Sequence, residues 1–231
     1  MIRRPPRSTH TQSRRQRQMC IRDSPNSDHL NGLLYIAKHF NVKQIWTNSE
    51  AGKTNGYSQL LELVKRNGIP MPHYTSIPRL INLAGAQLEI LYPPMDFLTR
   101  KQKDKWRNTN NNSLVVKIRF GSISMLFPGD IEYEAETELA SLKGDRLEST
   151  LLIAPHHGSR ASSSETFLEK VSPDWVIISS GWRNRFGFPH PSVLKRYEKH
   201  GCHVLNTARC GAITVTTDGN SLNITPFKAE E

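Results

Sequence analysis

Apolar residues recur at helical spacing at Leu30, Leu33, Leu34, Ala37 and Phe40, directly after Ser27 and Asp28, either of which can cap a helix. A short strand follows over 43–47. A second helical stretch starts near Ser58, carries Leu60, Leu61 and Val64, and ends at Gly68, where a C-terminal cap belongs. Residues 72–76 and 86–92 alternate as strands do. The polar stretch 93–112, with Asn110, Asn111 and Asn112 in a row, reads as a loop. The clearest hairpin signal comes next, two apolar runs over 113–120 and 123–127 separated by Gly121-Ser122. A helix over 131–142 closes at Gly144. Residues 151–154 and 175–179 are continuous apolar runs of the buried-strand type, with a helix near 164–171 between them. A helix over 191–200 and strands over 203–205, 212–216 and 222–225 complete the pattern. Interleaved strands and helices predict an α/β (α+β) chain of mixed sheets with helices outside them. No repeat of solenoid period is present.

Composition fits this picture: 231 residues, 36% apolar and 23% charged, are enough for one sizeable core or two small ones. The longest apolar runs fall far short of the roughly 18 residues that cross a bilayer. Three cysteines, Cys20, Cys202 and Cys210, form neither a paired framework nor a Cys-x-x-Cys clamp, which excludes a disulfide scaffold and a thiolate zinc finger. The net charge of +10 is concentrated: residues 1–24 hold seven Arg against one Asp, which leaves +4 for the rest, an ordinary surface balance. That first segment, MIRRPPRSTHTQSRRQRQMCIRDS, has no helical or strand period, no apolar core for a secretion signal, and no amphipathic period for a transit peptide. A basic nucleic-acid arm is one reading. The string RRQRQMCIRDS resembles translated sequencing-adapter sequence, which implies a non-native or disordered tail over 1–24, a domain over 25–227 and a C-terminal tail over 228–231.

Chemistry-bearing residues gather at the ends of the expected strands, where open sheets build their sites. Asp28-His29 opens a helix, Gly129-Asp130 follows a strand after a tight turn, His156-His157-Gly158-Ser159 follows another strand, and His190 lies between two prolines. Asp28 and Asp130 also suit helix caps, and His190 suits a surface loop. The two adjacent imidazoles after an apolar strand are harder to place without a partner. Carboxylate and imidazole at several strand ends are what a hydrolytic zinc site needs, and bound zinc lowers the pKa of a water to about 7.

The ordered set SDHLNG, NNNSLVVKI, LFPGDI, IAPHHGSRASSS, SSG and GFPHPSVL resembles the metallo-β-lactamase domain of the ComEC family, DNA-internalisation channels of bacterial competence. The resemblance runs from about Pro25 to about Thr217 and is most specific at PHHGS after a Gly-Asp turn. It implies an αββα sandwich, incomplete at its N-terminal side, with an exposed apolar sheet edge and poor solubility. The superfamily signature His-x-His-x-Asp-His falls on Ser24, Pro25, Asn26, Ser27, Asp28 and His29, so only the last two ligands are kept. Ser24 belongs to the suspect tail, where the native residue is expected to be His.

By the same resemblance, Asp28, His29, Asp130 as bridging carboxylate and His157 hold the metal, two Zn²⁺ ions in the complete domain, with Mn²⁺ an alternative. His156 and His190 steady developing charge. Ser159, Arg160 and Arg185, with Arg183 and the serines 162–164, contact phosphate. No residue fills the separate His expected between the signature and Asp130; His39 and His73 do not fit. The implied activity is hydrolysis of nucleic-acid phosphodiesters during DNA uptake. The parent protein is then a bacterial inner-membrane channel, with this chain a soluble piece of it. A degenerate module that binds DNA or the channel, and a hydrolase of small esters or phosphates, are the alternatives.

Overall fold

Helix and strand follow the apolar pattern along most of the chain in the structure, a computed structural model that describes residues 17–21 and 27–228. β1 (Arg17–Ile21), α1 (Ser27–His39), β2 (Asn41–Trp46) and α2 (Asn55–Arg66) come first, then β3 (Leu80–Leu83), β4 (Ala86–Tyr92), α3 (Phe97–Arg100), β5 (Val115–Phe120) and β6 (Ile123–Phe127). The second half alternates α4 (Tyr133–Lys143), β7 (Leu151–Ile153), α5 (Glu165–Val171), β8 (Trp175–Ile178), α6 (Pro191–Lys199), β9 (His203–Asn206) and α7 (Thr207–Cys210), and closes with β10 (Ile213–Thr217) and β11 (Leu222–Pro226).

Among the described residues, β3 to β9 form one seven-stranded sheet in sequential order, antiparallel from β3 to β6 and parallel from β6 to β9. Three apolar clusters stack the layers. Leu30, Leu33, Leu60 and Val64 of α1 and α2 pack on Val42 and Ile45 of β2. Trp46 of β2 packs with Leu88, Ile90 and Val116 on one face of the large sheet. Leu126, Leu152, Val176 and Ile178 meet Leu139, Phe167 and Tyr197 of α4, α5 and α6 on its other face. Helices, sheet, sheet, helices is the αββα order that the resemblance implies.

Three expectations are corrected. Residues 17–21, read as tail without strand period, pair in parallel with β2, because the edge of β2 offers main-chain donors and acceptors to any adjacent extended segment. Residues 72–76 are not a strand: Tyr74–Ser76 form a 3-10 turn, with Ser49 Oγ accepting from Tyr74 N at 2.7 Å and the Tyr74 ring edge-on to Phe97. The neighbouring strand is β3, a mostly exposed edge whose weak alternation hid it. The stretch 93–112 is also more ordered than a loop. It contains α3 and is clamped by the fully buried Arg107, whose guanidinium donates to Asp104, Tyr92 and Glu138 at 2.7–3.0 Å.

Two features of this packing are testable. Gly121 has φ +59°, and a Cβ there would lie 2.2 Å from the Gly219 carbonyl oxygen, where the β5–β6 turn meets the β10–β11 turn. Gly121→Ala is expected to lower the unfolding free energy by about 1–3 kcal/mol in urea titration. Glu136 on α4 is fully buried and accepts the Ser163 and Ser164 N–H groups. Burial pushes its carboxyl from 4.5 up to about 7, against those two donors, which pull it down. A folded-state pKa above the unfolded one contributes stability fully present below about 4.5 and lost as pH rises through about 7. The stability difference between the native chain and Glu136→Gln should therefore shrink by up to about 3 kcal/mol across that window, measured by thermal unfolding at each pH.

Candidate functional site

The parallel strands β6, β7 and β8 end on one side of the sheet, and the turns that leave them are tied together by the main chain. His156 N donates to the Gly129 carbonyl at 3.0 Å, and His190 N donates to the Gly158 carbonyl at 2.9 Å. Gly158 has φ +81°, and a Cβ on it would sit 2.7 Å from Pro189 Cβ, so this close approach requires glycine. His156 and His157 both take left-handed conformations, φ 47° and 58°. Two consecutive non-glycine residues in that region cost of order 1–3 kcal/mol each and persist only where the surroundings enforce them.

Asp130 is 3% exposed, and its N–H donates to Ser113 Oγ at 3.2 Å. His157 Nε2 lies 3.6 Å from Asp130 Oδ1, while its Nδ1 lies 2.8 Å from the Ser179 carbonyl oxygen. A carbonyl only accepts, so in the neutral ring Nδ1 carries the proton and Nε2 turns a lone pair towards the carboxylate. Two acceptors facing one another in this way favour a cation between them, and an imidazole N–H held by a main-chain oxygen is the usual support of a metal-binding histidine. The donor set of this edge therefore fits a divalent ion. Among the described residues, no three His, Cys, Asp or Glu side chains gather into a ready ligand group. Asp28 and His29 occupy the first turn of α1, and their side chains, like Ser24, Pro25 and Asn26, lie outside the described residues.

The other expected residues divide. His156 Nδ1 is 3.2 Å from Glu132 Oε1, and its ring is edge-on to Phe188 at 5.7 Å. His190 caps α6, its Nδ1 accepting from Ser192 N at 3.2 Å. Ser159 is buried, and its Oγ accepts from Ala161 N. Arg160 and Arg185 are exposed, as is Arg183. The serines 162–164 are a correction. They do not face solvent for a phosphate: Ser162 Oγ donates to the Ile131 carbonyl, Ser163 Oγ bonds Tyr197 OH, and Ser164 Oγ accepts from Phe167 N as the cap of α5.

Sequence reasoning missed the supporting layer. Glu132 accepts from Asn110 at 3.3 Å, and its own N–H donates to Asn111 Oδ1 at 2.8 Å. Behind it, Asn112 Nδ2 donates to Glu50 at 3.0 Å, Asn48 Nδ2 donates to the Asn112 carbonyl at 2.7 Å, and Lys101 pairs with Glu50. All three of Asn48, Glu50 and Asn112 are buried. Residues just after β2 thus join a buried polar cluster with the Asn run. The spacing Asp130-x-Glu132 was a readable signal for a second carboxylate beside the His pair.

No family model matches the chain. Among curated proteins, it is 27% identical over 188 residues to ComE operon protein 3 of Bacillus subtilis, covering 81% of this chain and 23% of that protein. It is 35% identical over 129 residues to competence protein ComA of Neisseria gonorrhoeae, 56% of this chain and 18% of that protein. It is 38% identical over 118 residues to recombination protein 2 of Haemophilus influenzae, 51% of this chain and 15% of that protein. The matched segment is a ComEC-type metallo-β-lactamase-fold domain. The chain spans about a fifth of the length of these relatives. Among solved structures, a variant of the CmlA β-hydroxylase shares the fold, with TM-score 0.50 and 16% identity over 82% of this chain and 43% of that chain. Among the described residues, no helix of the ComEC-type domain is long and apolar enough to cross a membrane.

The Gly158 contact gives a direct check on the geometry. Gly158→Ala is expected to cost about 1–3 kcal/mol of stability and to move the His157 and His190 ring resonances in a ¹H–¹⁵N spectrum. Gly32→Ala on exposed α1 meets nothing within 4 Å and should do neither.

Proposed function

We infer that this ComEC-type domain is a metal-dependent hydrolase of nucleic-acid phosphodiesters, acting in competence-related DNA uptake. One observation supports it above the others: His157 Nε2, its tautomer set by the Ser179 carbonyl, faces the buried Asp130 carboxylate at the carboxyl ends of parallel strands. The names of the competence relatives supply the biological setting. Asp130 and His157 would hold a divalent ion together with Asp28 and His29. Such an ion supplies Lewis acidity for water attack on a phosphodiester. His156, whose Nδ1 lies 3.2 Å from Glu132 Oε1, and His190, at the start of α6, would donate to phosphate oxygens. Arg160 and Arg185 supply positive charge at the rim. The exposed groups are the ones that remain available to substrate; the serines 162–164 instead fix the turn's shape.

A second reading, a DNA- or channel-binding module without turnover, is favoured by Ser24 and Asn26, which stand where the signature has its first two histidines. Metal stoichiometry by elemental mass spectrometry, after loading the whole chain with Zn²⁺ or Mn²⁺, separates the two. Asp130→Ala and His157→Ala are each expected to weaken metal retention tenfold or more, and Ser24→His to tighten it. Cleavage of single-stranded DNA should follow occupancy. A folded chain that retains no metal and cleaves nothing, with or without Ser24→His, overturns the hydrolase reading and leaves the binding module.

A further inference from the structure

The loop from Gly181 to Phe188, GWRNRFGF, sits between β8 and His190 and has an unusual surface. Trp182 is 71% exposed and Phe186 63%. Exposed aromatic rings of this size, both carried on one turn, cost solvation unless something covers them. The turn is rigid all the same. Asn184 Nδ2 donates to the Gly181 carbonyl at 3.0 Å and to the Phe188 carbonyl at 2.7 Å, and Asn184 Oδ1 accepts from Phe188 N at 2.9 Å. One side chain thus clamps both ends of the loop, and the rings are held ready instead of collapsing inward.

The rings also form a series that leads to the candidate metal edge. Phe186 stacks on Phe188 at 5.6 Å and 20°, and Phe188 meets His156 edge-on at 5.7 Å. Arginines alternate with them: Arg183 lies over Trp182 at 5.8 Å and Arg185 over Phe186 at 4.8 Å. Beside the loop is a cavity of about 510 Å³, lined by Trp182, Arg183 and Phe188 on one side and by Asn206 and Arg209 on the other. Among the described residues, its lining holds no carboxylate. The larger groove of about 980 Å³ at the other end of the sheet differs, because its arginines are matched by Glu89, Asp145, Glu148 and Asp174. Flat aromatic faces interleaved with the guanidinium groups of Arg183 and Arg185 are the two elements of a single-strand binding surface: bases stack, and phosphates lie against the positive groups.

We propose that the Gly181–Phe188 loop and the cavity beside it bind single-stranded nucleic acid. Bases stack on Trp182 and Phe186, phosphates lie against Arg183 and Arg185, and the strand is delivered past Phe188 to the His pair. This rests on the phosphodiesterase reading for its purpose but not for its binding chemistry. A duplex, whose bases are stacked on each other, cannot use the aromatic faces.

Binding without turnover tests it. The whole chain in EDTA is titrated against fluorescein-labelled oligothymidylate of about twelve nucleotides, an abasic strand of the same length, and a duplex, with anisotropy as readout. The basic residues 1–24 attract all three alike, so the contrast between strands reports stacking. Oligothymidylate should bind the native chain about tenfold or more tighter than the abasic strand. Trp182→Ala with Phe186→Ala should remove that contrast, and Trp182→Phe should keep it. Both rings are exposed, so unchanged melting confirms that the variants fold. Equal affinity for the thymidylate and abasic strands, or a contrast that survives the double substitution, overturns the proposal. Cleavage that persists in that case leaves the hydrolase reading intact. Stacking-dependent binding by a chain that never cleaves sinks the hydrolase reading and sustains this one.

Discussion

Two main-chain hydrogen bonds, His156 N–H to the Gly129 carbonyl and His190 N–H to the Gly158 carbonyl, hold three strand-end turns in a single arrangement. The rest of the site depends on them. They fix the left-handed pair His156 and His157, which in turn aims one imidazole at Asp130 and the other at Glu132. Parallel pairing of β6, β7 and β8 makes this possible, because it ends all three strands on the same side, each with a loop free to carry polar groups.

Behind the turns lies a layer of buried amides and carboxylates. Ser113 accepts from the Asp130 N–H, Asn111 from the Glu132 N–H, and Asn112 meets Glu50 in the interior. Three consecutive residues thus serve three partners, and the chain between β4 and β5 works as a scaffold for the Gly-Asp turn. A buried polar network of this kind is favourable when its members are satisfied. Among the described residues, Asn112 Oδ1 is one of the buried side-chain atoms without a hydrogen bond, with Trp46 Nε1, His156 Nδ1 and Arg196 Nε.

Much of this was legible in the sequence because it rests on periodicity and on turn residues. The Gly121-Ser122 hairpin, the buried strands and the helices of the second half all follow local signals, as do Asp130 and the His pair at strand ends. What escaped depended on partners far away in the chain. Residues 17–21 extend because β2 is beside them, not because their own pattern alternates. Residues 72–76 alternate but have no strand to pair with, so a hydroxyl and a buried ring bend them into a turn. The serines 162–164 are hydroxyl-rich like a phosphate loop, yet Ile131, Glu136 and Tyr197 engage them from about 30 residues away, and Ser164 caps the adjacent α5. Glu132 and the Asn run were visible as residues, but their roles as orienting partners appear only once β4, β5 and α4 are packed.

The staples that create the site also set when it can form. Gly129 and His156 are separated by a full helical crossover, as are Gly158 and His190, so neither bond can close until α4 and α5 have docked and the parallel strands have aligned. Contacts of such sequence separation bear their loop-closure entropy before they gain anything in return. The hairpin at Gly121 needs no such wait. During folding, the antiparallel half of the sheet therefore assembles as a template, and the chemically equipped edge is among the last parts of the molecule to exist.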